Sequence, residues 1–407
     1  MAPYESDDST DATADGPPSA RRKAARYAVP VAVVGVAAAT IGLVPALADS
    51  GDPDLPKISA QQLIEKIAQS DVQRLSGTVK ISTDLGLPDL GGLENSLVSG
   101  AGKGGGGSSA DPTSKLTELA SGTHTLRVAA DGQDRQKVSL IESAAEYSLI
   151  HNGKDVWGYD SKSDEVYHGT APQDGAKGEH QLPATPKDFA EEALKSADDT
   201  TSVTVDGTAQ VAGRDAYKLV IKPKHASGTT VGAISIAVDS KTGLPLKFTL
   251  TPASGGAAVV DAGFTRISFA APAASTFDFT PPKGAKVTDE KDAGVPAGGQ
   301  GRVPGAPHRD GAAHQGLGEK DTKVLGKGWN SIAVLDSGTK GGIPSSTGKG
   351  GGLDGFLGSL GDQVSGKFGK GTVFSTRLVN ALITDDGKVY VGAVTKEALV
   401  KAADTGR

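Results

Sequence analysis

The chain has 407 residues, a net charge of −6, 56 glycines, 22 prolines, few aromatic residues and no cysteine. Without cysteine there are no disulfide staples, no thiol chemistry, and no Cys-ligated zinc, iron–sulfur or lipid-anchor site. The acidic balance without a basic face argues against a nucleic-acid partner. The glycine and proline content assigns much of the chain to linkers.

Residues 1–26 read as a disordered cytoplasmic tail ending in the basic cluster Arg21, Arg22, Lys23 and Arg26. An apolar run from Tyr27 to Leu47 follows. The basic flank is expected to stay inside, sending the bulk of the chain outward. Ala46-Leu47-Ala48 has the small-residue form of a signal cleavage site, whereas the length of the run suits a membrane-spanning anchor. Segment 27–48 is therefore either a signal peptide removed after Ala48 or an anchor holding the protein at the extracellular face of the membrane.

Ser59-Ala60-Gln61-Gln62 has the form of a capping box, and Leu63, Ile64 and Ile67 make a helical stripe behind it. Gly77 to Asp84 suggests a strand, and the Gly/Ser-rich stretch 85–114 reads as a flexible insertion. From Thr123 the apolar period becomes two. Runs at Leu126/Val128, Val138/Leu140, Tyr147/Leu149, Trp157/Tyr159 and Val166 are separated by turns such as Asp131-Gly132 and Asn152-Gly153. A second helix is expected behind Thr185-Pro186, with Phe189, Ala190, Ala193 and Leu194 as its stripe. Strands resume through Val203/Val205, Leu219/Ile221, Ile234/Ile236, Leu246/Phe248 and Phe264 to Phe269. The class is α+β, a large antiparallel sheet with two helices. Residues 289–320 read as a linker, and 321–407 as a small β-hairpin and helix module interrupted by a flexible insertion at 338–370. In that module Lys327 to Leu335 and Val373 to Ile383 are each expected as one strand, and Thr395 as the cap of a last helix.

Catalytic motifs fail. Gly348-Lys349 is followed by Gly350 where a phosphate loop needs Ser or Thr, the histidines lack metal spacing, and no Gly-x-Ser-x-Gly elbow exists. No nucleophile–base pair can be nominated, so the expectation is a non-enzyme without cofactor or metal. Asp160, Asp164 and Glu165 at one turn suit either a weak calcium site or, more simply, a solvated hairpin tip. Trp157 and Tyr159 suit either an apolar cleft or core filling.

Two segments carry more information. One is Val211-Ala212-Gly213-Arg214-Asp215-Ala216-Tyr217 with Val238-Asp239-Ser240-Lys241-Thr242-Gly243-Leu244-Pro245; the other is Phe277-Asp278-Phe279-Thr280-Pro281-Pro282-Lys283-Gly284-Ala285-Lys286-Val287. Together they resemble the LolA/RseB-type lipoprotein-carrier superfamily over about residues 57–288. The tail resembles an extension of exported actinobacterial relatives. The resemblance implies a curved, unclosed antiparallel half-barrel with two helices over its concave face. It also implies a lipid, an acyl chain or a lipoprotein as ligand, or, for an RseB-like envelope-stress regulator, a membrane-protein partner. The ligand cavity is expected to be lined by Leu126, Val128, Val138, Leu140, Trp157, Tyr159, Leu219, Ile221, Ile234, Ile236, Leu246 and Phe248.

Overall fold

The computed structural model describes residues 52–86, 108–112, 115, 119, 121–171, 185–224, 227–289, 322–336 and 361–406. The tail 1–26, the apolar run at 27–47, most of the 85–114 insertion, the linker beyond Asp289 and residues 338–360 of the second insertion lie outside these residues. Among the described residues no helix is long and apolar enough to cross a membrane.

Helix α1 (Ala60–Ala68) starts where the capping box requires. The Ser59 hydroxyl accepts from the Gln62 backbone N–H at 3.1 Å, and the Gln62 side chain accepts from the Ser59 N–H at 2.9 Å. Helix α2 (Pro186–Lys195) begins on the equivalent Thr185–Asp188 box, with Pro186 in the first turn. The buried stripes are Leu63, Ile64 and Ile67 on α1, and Ala190 and Leu194 on α2.

The main sheet has twelve strands. Its first half contains β1 (Arg74–Thr83), β2 (Gly122–Asp131), β3 (Arg135–Ile141), β4 (Glu146–Asn152), β5 (Asp155–Asp160) and β6 (Glu165–Thr170). Beyond α2 come β7 (Thr201–Val211), β8 (Arg214–Pro223), β9 (Val231–Asp239), β10 (Pro245–Pro252), β11 (Val260–Ser268) and β12 (Lys286–Asp289). The spatial order is β12-β6-β5-β4-β3-β2-β1-β11-β10-β9-β8-β7, so two meanders meet where β1 pairs with β11 and the sheet stays unclosed. This is the α+β half-barrel expected from the sequence. One strand departs from the antiparallel expectation: β12 pairs with β6 in parallel, because the chain returns from β11 across the sheet before joining that edge.

Gly243, in the turn between β9 and β10, has φ +73°, and a Cβ there would collide with the Lys66 carbonyl at the end of α1. The turn thus needs glycine twice, for its backbone and for the helix seated on it.

A second, six-stranded sheet comprises β13 (Thr322–Leu325), β14 (Ile332–Asp336), β15 (Asp362–Gly366), β16 (Gly369–Ser375), β17 (Asn380–Thr384) and β18 (Lys388–Gly392), followed by α3 (Lys396–Thr405) on the predicted Thr395 cap. Its own core gathers Ile332, Phe368, Val373, Leu382, Tyr390 and Leu399. Three expectations are corrected. Lys327 to Leu335 is not one strand, because a 3₁₀ turn at Gly328–Asn330 precedes β14. Val373 to Ile383 is two strands, broken where the Thr376 hydroxyl accepts from the Val379 N–H at 2.8 Å. The end of the presumed 338–370 insertion is ordered as the β15–β16 hairpin, held by buried Phe368.

Candidate binding face

Strand pairing decides which side chains share a face, since directly opposed residues point the same way. Val79 opposes Leu126, Leu126 opposes Leu140, and Leu140 opposes Tyr147. On the other side of β1, Ile81 opposes Ala262, Ala262 opposes Phe248, Phe248 opposes Ile236, and Ile236 opposes Leu219. Val128 opposes Val138, Leu250 opposes Ile234, and Ile234 opposes Ile221; Leu246 lies two residues before Phe248. Ten of the twelve nominated residues therefore share one inner face.

The covers over that face differ along it. Over β7 to β11, the stripes of α1 and α2 bury Leu219, Ile221, Ile236 and Phe248, and Phe189 stacks on Phe248 at 5.2 Å. Here the face is filled core. Over β4 to β6, the cover is a limb made of the end of the 85–114 insertion together with the residues that follow it, described at 108–112, 115 and 119. Glu165 receives the Ser109 N–H at 2.8 Å, the Ser109 hydroxyl at 2.9 Å and the Ser108 hydroxyl at 3.0 Å, and pairs with Lys286 at 3.0 Å. The Lys286 bond and the serine donors outweigh burial and hold its carboxyl down at about 2. Tyr147 donates to the Ala110 carbonyl at 3.1 Å, and burial, reinforced by Asp111 and Asp160, raises its phenol. Lys115 reaches Glu142 at 3.1 Å and Asp160 at 3.5 Å, and Leu119 is buried among Val79, Leu126 and Leu140. Gly158 lies directly under this limb, where any Cβ would strike the Ala110 carbonyl.

The sequence reading missed this anchoring because glycine density dominated the 85–114 stretch. A glycine inside β5 was the available signal. The limb also accounts for two of the three carboxylates weighed as a calcium site: Asp160 and Glu165 face inward onto its cations and hydroxyls, while Asp164 accepts from the Tyr159 hydroxyl at 3.3 Å. Among the described residues no set of three or more His, Asp or Glu side chains is arranged for a metal.

Trp157 and Tyr159 do not line the inner face. Leu149 opposes Gly158, which turns both aromatics outward. There Trp157 stacks on His168 at 3.9 Å, and Phe279 packs against Trp157 and Tyr159 at 5.6 and 5.7 Å. Phe277, two residues earlier, is fully buried, so the Phe-x-Phe pair places one ring in the core and one outside.

The two ends of the half-barrel also differ. At one end the second sheet docks. Thr229 pairs with Val394, Thr395 donates to the Gly228 carbonyl at 2.9 Å, Trp329 donates to Thr201 at 2.9 Å, and Arg377 binds Asp84 at 2.6 Å. At the other end Val72, Leu75, Ala212, Ile267 and Phe269 are half-buried beside Val138 and Leu149, a partly exposed apolar rim. This rim is braced by the first of the two sequence motifs. Arg214 pairs with buried Asp239 through both its Nε and a second nitrogen, and its guanidinium sits 4.5 Å over the Phe269 ring. Asp239 also accepts from the N–H groups of Lys241 and Thr242 at 3.0 and 2.7 Å. Burial opposes its charge, yet these donors overcome it and hold the carboxyl below the usual range.

No family model matches the chain, and no curated protein matches it. Solved structures similar to it include the Pseudomonas aeruginosa MucA/MucB complex, at 15% identity over 84% of this chain and 96% of that one, with a TM-score of 0.38. An uncharacterized conserved protein from Thermus thermophilus aligns at 13% identity over 56% of this chain and 98% of its own, TM-score 0.31. A LolA-superfamily protein from Nitrosomonas europaea aligns at 12% identity over 55% and 99%, TM-score 0.23.

Proposed function

We propose that this is an exported, non-enzymatic protein that receives an acyl chain or the lipidated end of a lipoprotein on the inner face of its half-barrel. The observation that carries the reading is the rim. Half-buried apolar side chains, Leu75, Val138, Leu149, Ile267 and Phe269, gather at one end of a face that is otherwise packed. An apolar wall lacking part of its packing has the property a hydrophobic ligand satisfies. The LolA/RseB-like motifs support the same reading. The Ile236 and Phe248 end, filled by the helices, serves as floor, and access is from the rim.

The test is native mass spectrometry of gently purified protein, followed by titration with a fluorescent acyl probe. A co-purified lipid, or saturable probe binding weakened by Val138→Asp or Leu149→Asp in folded protein, supports the proposal. A stoichiometric protein partner without lipid favours the envelope-stress regulator instead.

A further inference from the structure

On the outer face the register builds a different kind of site. Thr78 of β1 is opposed by Arg127 of β2 on one side and Arg266 of β11 on the other, and Ser76 is opposed by Ser268. Neighbouring strands lie about 5 Å apart, so the two arginines flank one threonine within the reach of a single phosphate group. These five residues border an open cleft of about 370 Å³. Arg127 is exposed, and its nearest carboxylate is Glu146 at 3.9 Å; Arg266 and Lys80, next along the same face, are also exposed. In a chain of net charge −6, this is a local surplus of cations beside hydroxyl donors.

We infer that this cleft docks the protein onto an anionic lipid surface, with Arg127 and Arg266 taking lipid phosphates. Guanidinium groups bind phosphate with paired donors, and Ser76, Thr78 and Ser268 add hydroxyls. A lipid surface is the occupant because the same strand ends that turn Ser76 and Ser268 outward turn Leu75, Ile267 and Phe269 inward, half-exposed. A membrane offers both phosphates and an apolar interior to that end, whereas a soluble polyanion leaves the apolar rim uncovered. The inference concerns the outer face and does not require that the inner face hold a ligand.

The experiment is co-sedimentation with vesicles of phosphatidylcholine alone and of equal parts phosphatidylcholine and phosphatidylglycerol. Binding is expected to the anionic vesicles only and to weaken with salt. Each of Arg127→Ala and Arg266→Ala is expected to lose roughly fivefold, with Arg266→Lys retaining most of it. Thermal melts verify that the variants fold, and Lys247→Ala, whose lysine is already paired with Asp261 at 3.0 Å, serves as the unaffected control. Equal binding to both vesicles, or undiminished binding by the folded double alanine variant, overturns the inference. So does release by inorganic phosphate beyond that of chloride at equal ionic strength, which marks a pocket for the free anion. Acyl-probe binding by the same variants reads the inner face separately.

Discussion

The two halves of the inner face are closed by unlike means. Over β7 to β11 the cover is two amphipathic helices, whose Leu63, Ile64, Ala190 and Leu194 join Leu219, Ile221, Ile236 and Phe248 in one apolar cluster. Over β4 to β6 the cover is a short limb fastened through Glu165, Tyr147 and Lys115. The first depends on volume and is indifferent to ionisation; the second depends on charge and on one missing Cβ. A helix supplies its own backbone hydrogen bonds, so it can offer a purely apolar stripe, while an irregular limb must find side-chain partners for its polar backbone.

The largest expected effect lies in neither cover but in the brace of the rim. Asp239→Ala leaves the Arg214 guanidinium without its buried partner and strips the Lys241–Thr242 turn, with an expected loss of about 3–5 kcal/mol in urea unfolding. Under the helices, Ile236→Ala should lose about 2–5 kcal/mol by cavity creation, and this loss should not vary with pH. A loss well under the lower figure there would mean that this half is loosely filled, and the contrast between the halves would fail. Gly158→Ala should lose about 1–3 kcal/mol by overpacking, and hydrogen exchange should speed up at residues 109–111 while α1 and α2 stay protected. Protection lost equally in both regions would make the covers one cooperative unit.

A pH titration sharpens the same contrast. Glu165 titrates lower in the folded protein than its ordinary value of 4.5, at about 2. Its stabilising contribution is therefore complete above the ordinary value and is lost as pH falls through that window. Acidification should loosen residues 108–110 before the helices, as seen by exchange, and Glu165→Gln should remove most of the dependence. The smallest effect is expected at the rim. Val138→Ala removes a half-buried side chain and should cost less than the Ile236 truncation, so the difference between the two measures how much packing the rim lacks.

The helices were legible because Ser59–Gln62 and Thr185–Asp188 are local devices, complete within four residues of sequence. The period-two runs correctly grouped residues within each strand. They did not say which parity faces inward, since alternation is symmetric until a neighbouring strand fixes it. Trp157 and Tyr159 were misassigned for that reason: Tyr147 and Leu149 take the inside on β4, and pairing then commits Gly158 and Asp160 to the inside on β5. The Arg214–Asp239 motif was legible as a marker of the fold, but the ion pair behind it joins residues 25 apart and required the structure. The limb at 108–119 and the β15–β16 hairpin were obscured by surrounding glycines, where composition outweighs the few anchoring side chains.

The docking of the second sheet has a consequence for the order of events in synthesis. Arg377 and Asp84 are separated by 293 residues, and Trp329 and Thr201 by 128, so the half-barrel leaves the ribosome with one end unsealed. Contacts of such sequence separation carry the largest chain-closure entropy and form late in folding. Until they do, the exposed strand ends are a target for proteases and for other nascent chains. A truncation before Thr322 should therefore shorten cellular half-life more than it lowers equilibrium stability.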